Sequence, residues 1–164
     1  GFYVLRCDLP FRQRRQFGPP FPAQAADDRN GLKLAAAEMG KLVPGRIFLG
    51  GHSYGGRQAS LLASEDAGMA DGLLLLSYPL HPPKAPATER AAHLLEAGRR
   101  MGPMLFLQGT RDDLADLSLL RPIVKQIGGD LHVVEGADHG FTRSGHVAEL
   151  AATIRAWIDR VLDS

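Results

Sequence analysis

The chain has 164 residues, which suits one domain able to bury about 70% of its unfolded surface without disulfides or metals. Its 19 basic and 18 acidic residues leave a formal charge of +1, so nothing electrostatic points to nucleic acid. The longest apolar run, Leu73 to Leu76, is strand-length and far short of a membrane span, and the lone Cys7 excludes a disulfide framework while permitting a reducing compartment.

Phe2 to Cys7 is apolar and β-favouring and is stopped by Asp8-Leu9-Pro10. This predicts a buried strand, with Cys7 a small core residue. Residues 9–28, rich in Pro, Gln and Arg, read as loop, and the Arg12, Arg14, Arg15 cluster as solvated. Leu32, Ala35, Met39 and Leu42 follow helical spacing, ended by Pro44-Gly45. Arg46 to Leu49 reads as a strand, followed by a glycine-flanked turn and a helix through about Glu65. Gly72 to Tyr78 is a strand without polar alternation, as expected when both faces are covered. Residues 79–87 carry four prolines and must be loop. Thr88 is the expected N-cap of a short helix ending near Gly98. Met104 to Gln108 is a strand, Ser118 to Ile127 a helix with Pro122 in its first turn, and Leu131 to Val134 a strand. His146 to Leu162 closes the chain as a helix with an apolar stripe of Val147, Leu150, Ile154, Trp157, Ile158 and Val161. Five alternating strand–helix units imply an α/β fold, with a mostly parallel sheet and helices on both faces. Ligands in such sheets bind at the carboxyl ends of strands.

The stretch Gly51-His52-Ser53-Tyr54-Gly55 lies at one of those ends, between a strand and a helix. G-x-S-x-G there is the pattern of a nucleophile elbow, in which Gly51 and Gly55 let backbone pass close to a strained serine. The pattern alone arises by chance roughly one time in ten in a glycine-rich chain. Two further candidates fall at other strand ends: Asp112 in Gly109-Thr110-Arg111-Asp112, and His139 in Ala137-Asp138-His139-Gly140-Phe141. The order Ser, Asp, His is the α/β-hydrolase order. In such a set His139 takes the proton of Ser53, and Asp112 fixes the imidazole and stabilises its cation. Asp113 competes for the acid's role, and an Asx turn is a further reading of Asp112. His52 and His81 are candidates to line a pocket, whereas His93, His132 and His146 read as packing or surface groups and Asp138 as a loop-shaping neighbour. No zinc site is expected, since His132, Asp138, His139 and His146 match no ligand spacing, and no cofactor is implied.

The chain resembles the dienelactone-hydrolase-type α/β-hydrolases, in particular the branch that includes the third subunit of the NSL chromatin complex and its bacterial relatives. The matching segments are GGHSYGGRQAS (50–60), LSYPLHPP (76–83), LFLQGTRDDL (105–114) and ADHGF (137–141), with Arg6 to Phe11 also similar. The resemblance implies the α/β-hydrolase fold and places the acid three residues after Gly109, at Asp112. True dienelactone hydrolases carry cysteine at the elbow, so Ser53 departs from them and their substrate does not carry over.

A serine hydrolase needs an oxyanion hole. The backbone N–H of Tyr54 supplies one donor, and the other normally comes from a glycine-rich loop after an earlier strand, which has no counterpart before Phe2. The chain also opens on glycine. The expectation is therefore a single domain over residues 1–164 forming the C-terminal three quarters of the fold, with N-terminal strands missing and roughly 40–60 residues removed, at about 30 residues per βα unit. Residues 79–98 are too short for a large lid, which favours small or exposed substrates. The leading functional expectation is a cytoplasmic serine hydrolase acting on small ester or thioester molecules through an acyl-enzyme on Ser53. The alternative is a catalytically inactive hydrolase-like scaffold that binds a protein partner, and an acyltransferase using the same residues is third.

Overall fold

In the computed structural model, residues 2–85 and 90–163 are described. The expected cap at Thr88 lies outside them. In chain order the helices and strands are α1 (Pro10–Arg14), α2 (Ala25–Leu42), β1 (Phe48–His52), α3 (Tyr54–Glu65), β2 (Gly72–Leu76), α4 (Ala92–Arg100), β3 (Met104–Gly109), α5 (Leu117–Gln126), β4 (Asp130–Val134) and α6 (Ser144–Leu162). The four strands pair in sequence order, β1-β2-β3-β4, all parallel. Each crossover therefore returns the chain through a helix, so every strand begins at the same end and all four carboxyl ends form one rim.

Side chains alternate across this sheet. Leu49, Leu73, Leu75, Met104 and Phe106 enter a core shared with Leu32, Leu62, Leu94, Leu120 and Val124 of α2 to α5. Leu105, Leu107 and Val134 enter a second core with Leu150, Trp157, Ile158 and Val161 of α6. Both faces are thus covered, which is why Leu73 to Leu76 shows no polar interruption. Trp157 anchors α6 twice: its ring edge meets Phe48 at 5.7 Å and its Nε1–H donates to Asp130 at 2.7 Å.

Several expectations change on contact with the structure. Phe2 to Cys7 forms no strand; Phe2, Tyr3, Val4, Leu5 and Cys7 are exposed, so Cys7 is not a core residue. β-Favouring side chains make a strand only when a neighbouring strand takes their backbone bonds, and the paired sheet has four strands, not five. Residues 9–28 are not all loop. Pro10 opens α1 at the position where a missing N–H is harmless, and α2 starts at Ala25, with Asp27 and Asp28 in its first turn, where the helix dipole favours acids. β1 runs on to His52 rather than stopping at Leu49, and β2 ends at Leu76 rather than Tyr78 because Ser77 turns to φ 46°. Asp116 caps α5 by accepting from the Ser118 N–H at 2.7 Å, so the helix begins earlier and Pro122 falls in its second turn, where it removes a helical bond. Val147 lies in the first turn of α6, beside the carboxyl-end loops, and stays 58% exposed instead of joining the stripe.

Candidate active site

The β1–α3 junction forces Ser53 into φ 53°, ψ −119°, a conformation that a serine adopts only when its surroundings impose it. Two backbone bonds impose it here: the Ser53 N–H donates to the Leu76 carbonyl at 2.8 Å, and the Ser53 carbonyl accepts from Arg57 N–H at 3.0 Å. The close approach behind the turn is between Gly51 and Gly56. A Cβ on Gly51 would lie 2.8 Å from the Gly56 nitrogen, and one on Gly56 2.6 Å from the Gly51 oxygen. A Cβ on Gly55 would meet open space, so the second glycine of the motif is not the one the packing requires.

The rim brings the three candidates together. His139 Nε2 is 2.7 Å from Ser53 Oγ, and His139 Nδ1 is 2.9 Å from each oxygen of Asp112. Asp112 is buried, whereas Asp113 is exposed, so Asp112 is the carboxylate that meets the imidazole. Asp112 also accepts from Leu114 N–H at 2.9 Å and from Gln108 Nε2 at 2.5 Å. The two loops that carry Asp112 and His139 are stapled to each other, Arg111 N–H donating to the Ala137 carbonyl at 2.9 Å and Gly136 N–H to Thr110 Oγ1 at 2.8 Å. Asp138 shapes its loop as expected: the hydroxyl and backbone N–H of Thr142 bond its carboxylate and hold its pKa below the usual range.

His52 and His81 both bond to backbone groups. His52 Nε2 donates to the His139 carbonyl at 2.6 Å, and Ser77 Oγ donates to the same oxygen at 2.8 Å, so the His139 main chain is held from two sides. His81 is buried, with Nδ1–H given to the Pro82 carbonyl and Nε2 accepting from Asp116 N–H, each at 2.9 Å. That arrangement assigns a neutral tautomer. His81 does border an open cavity of about 480 Å³, shared with Thr110, Asp112, Asp116 and Leu117. Gln108 and Ser77 are two polar residues beside these candidates that sequence reasoning missed. Both are fully buried at the carboxyl end of an otherwise apolar strand, and that position was the available signal.

The sequence profile of the alpha/beta hydrolase domain matches residues 2–162. The chain belongs to the alpha/beta hydrolase family. Among solved structures, this hydrolase domain is similar to an alpha-beta serine hydrolase homologue from Coxiella burnetii, with a TM-score of 0.61 at 18% identity over 85% of this chain. It spans 62% of that protein's length. It is similar to Est1E from Butyrivibrio proteoclasticus, TM-score 0.66 at 14% identity, covering 85% of this chain and 72% of that one. The esterase domain of a Rhodothermus marinus protein gives 0.63 at 15% identity, covering 80% and 68%. At these identities the likeness is one of fold. Among the described residues, no helix of the hydrolase domain is long and apolar enough to cross a membrane.

Proposed function

We propose that this domain is a serine hydrolase that cleaves small ester or thioester substrates through an acyl-enzyme on Ser53. The observation that carries the reading is the unbroken series from Ser53 Oγ through the His139 imidazole to buried Asp112, with contacts of 2.7 and 2.9 Å. A hydroxyl on a strained turn, facing a neutral imidazole that is itself oriented by a carboxylate, is an activated nucleophile.

In this reading Ser53 Oγ attacks the acyl carbon while its proton passes to His139 Nε2, and Asp112 stabilises the resulting imidazolium. The carbonyl oxygen gains negative charge and faces the Tyr54 backbone N–H. Collapse breaks the bond to the alcohol or thiol, which leaves with the proton from His139. Water then attacks the acyl group with His139 as base, and the acid departs as Ser53 regains its proton. The open cavity beside the Asp112 loop favours small or exposed acyl groups. The Ser53 elbow and the segments resembling the NSL-subunit branch favour that branch over the cysteine-bearing dienelactone hydrolases in this reading, and the lone, unpaired Cys7 suits a cytoplasmic setting.

The test is labelling with a fluorophosphonate, which reacts with an activated serine. The wild-type protein takes the label and Ser53→Ala does not; absence of any Ser53-dependent label removes the enzyme reading and leaves the partner-binding scaffold in its place.

A further inference from the structure

Asp28 is a carboxylate with no solvent exposure, far in sequence from the elbow. A buried carboxylate is costly unless its oxygens are satisfied. Here one oxygen accepts from Phe11 N–H at 2.8 Å and the other from the Tyr54 hydroxyl at 2.8 Å. Tyr54 is the residue after the nucleophile. Its ring edge also meets Phe11, with centroids 5.4 Å apart and planes at 81°. Burial first, then the hydrogen bond to Asp28 and its charge, raise the phenol's pKa, so the hydroxyl remains a donor across the working pH range.

We propose that Asp28 is a positioning residue for the oxyanion donor: by holding the Tyr54 side chain it fixes the Ser53–Tyr54 peptide, whose N–H must face the charge that develops on the substrate. This rests on the hydrolase reading given above. The Ser53 side of that peptide is tied through the Leu76 carbonyl and the Arg57 N–H. Backbone at φ 53°, ψ −119° relaxes wherever its surroundings permit. The Tyr54–Asp28 bond restrains the other side, and it links the elbow to α2 and, through Phe11, to α1. The N-terminal turn of α2 favours the charge on Asp28 and so keeps the anchor in place.

Two substitutions test this without touching Ser53, Asp112 or His139. Tyr54→Phe removes one hydroxyl, and Asp28→Asn keeps the size of the side chain but weakens both bonds. The readouts are kcat and KM for p-nitrophenyl acetate and the Kd of phenylboronic acid. The boron of that acid bonds to Ser53 Oγ, the serine proton passes to His139, and the tetrahedral adduct sits where the oxyanion would. Each variant is expected to lose about 10-fold in kcat and in boronate affinity with KM within ~2-fold, less than the ~10²–10³ that loss of a whole donor costs. The double variant should fall no further than the weaker single, because the two residues act through one bond.

Wild-type kcat and boronate affinity in Tyr54→Phe overturn the proposal, even if Asp28→Asn is impaired through its contact with Phe11. A loss confined to KM overturns it as well, and should Asp28→Asn fail to fold, Tyr54→Phe decides alone. Fluorophosphonate labelling separates the two levels. A wild-type protein labelled at Ser53 whose variants bind boronate normally refutes the positioning role and keeps the hydrolase, whereas no Ser53-dependent label removes both.

Discussion

Two serine–histidine pairs involve α3, and only one has the surroundings that the proposed chemistry requires. Ser53 at the head of the helix meets His139 at 2.7 Å; Ser60, within it, meets His93 at 2.9 Å. The contacts are nearly equal in length, but their surroundings are not. His139 is backed by the Asp112 carboxylate, and its side chain is 30% exposed. No carboxylate contact backs His93 among the described residues. It lies between the hydroxyls of Ser60 and Tyr78, and those hydroxyls already donate to the Arg57 and Arg90 carbonyls, so His93 Nε2 must be the donor. Burial, then the charge of Arg57, hold the His93 pKa down at about 4, and burial lifts Tyr78 to about 12. Proximity of a hydroxyl and an imidazole is therefore not enough. The imidazole must have its acceptor nitrogen free for the serine proton, a carboxylate behind it, and a path to solvent.

The sharpest way to break this comparison is to delete each serine in turn. Ser53→Ala should lower kcat for p-nitrophenyl acetate by about 10⁴–10⁶-fold, as removal of a triad nucleophile does. Ser60→Ala should keep both turnover and fluorophosphonate labelling. Equal losses in the two variants would mean that the pairs are functionally alike and that the distinction drawn from their partners is wrong.

The next largest effect separates the histidines' support. Asp112→Asn preserves the shape of the site but allows the wrong imidazole tautomer, and it should cost about 10⁴-fold in kcat, or about 5 kcal/mol of transition-state stabilisation. His93→Gln should leave kcat within a few-fold, about 1 kcal/mol. The measurement is steady-state ester hydrolysis at neutral pH.

How much of this contrast the sequence carried depends on the range of the interaction. The elbow was legible because its motif is local, and the rim positions of Asp112 and His139 followed from strand patterns that specify direction as well as type. Ser60–His93 left no mark, since nothing in the chain says that residues on α3 and α4 share a buried hydroxyl network. Asp28 was invisible for the same reason: its meaning depends on Tyr54, 26 residues away. Gly56 was hidden behind the motif, which highlights Gly55 although the packing uses its neighbour. Phe2 to Cys7 misled because strand propensity describes a side chain's fit to a sheet, not the presence of a partner. The start of α5 was missed despite an available signal, the Asp116-x-Ser118 cap.

A third test uses pH to sharpen the difference. His93 has an unfolded-state pKa near 6.5 and is held at about 4 in the fold. Between those values the unfolded chain takes up a proton that the native state refuses. Its contribution is thus complete above pH 6.5 and is lost as pH falls toward 4. The loss should be about 2 kcal/mol once partial contact with solvent is allowed for. Urea unfolding at a series of pH values should show this slope in the wild type and a smaller one in His93→Gln. An unchanged slope would show that His93 does not carry it.

The smallest effect concerns what keeps Ser53 and His139 in register. Ser77 donates from a left-handed turn at the end of β2 to the His139 carbonyl, 2.8 Å away, and His52 donates to the same oxygen. Ser77→Ala removes one of two donors and leaves no charge unpaired, so the stability loss should be only about 1 kcal/mol. The imidazole gains freedom to tilt, and kcat should fall by about 5-fold while KM holds, because the contact matters only when His139 must meet Ser53. Among the described residues Ser77 has no counterpart beside His93, whose ring is fixed by the hydroxyls it touches. If Ser77→Ala lowered stability without changing kcat, the serine would belong to the strand end alone, and His52 would suffice to hold the base.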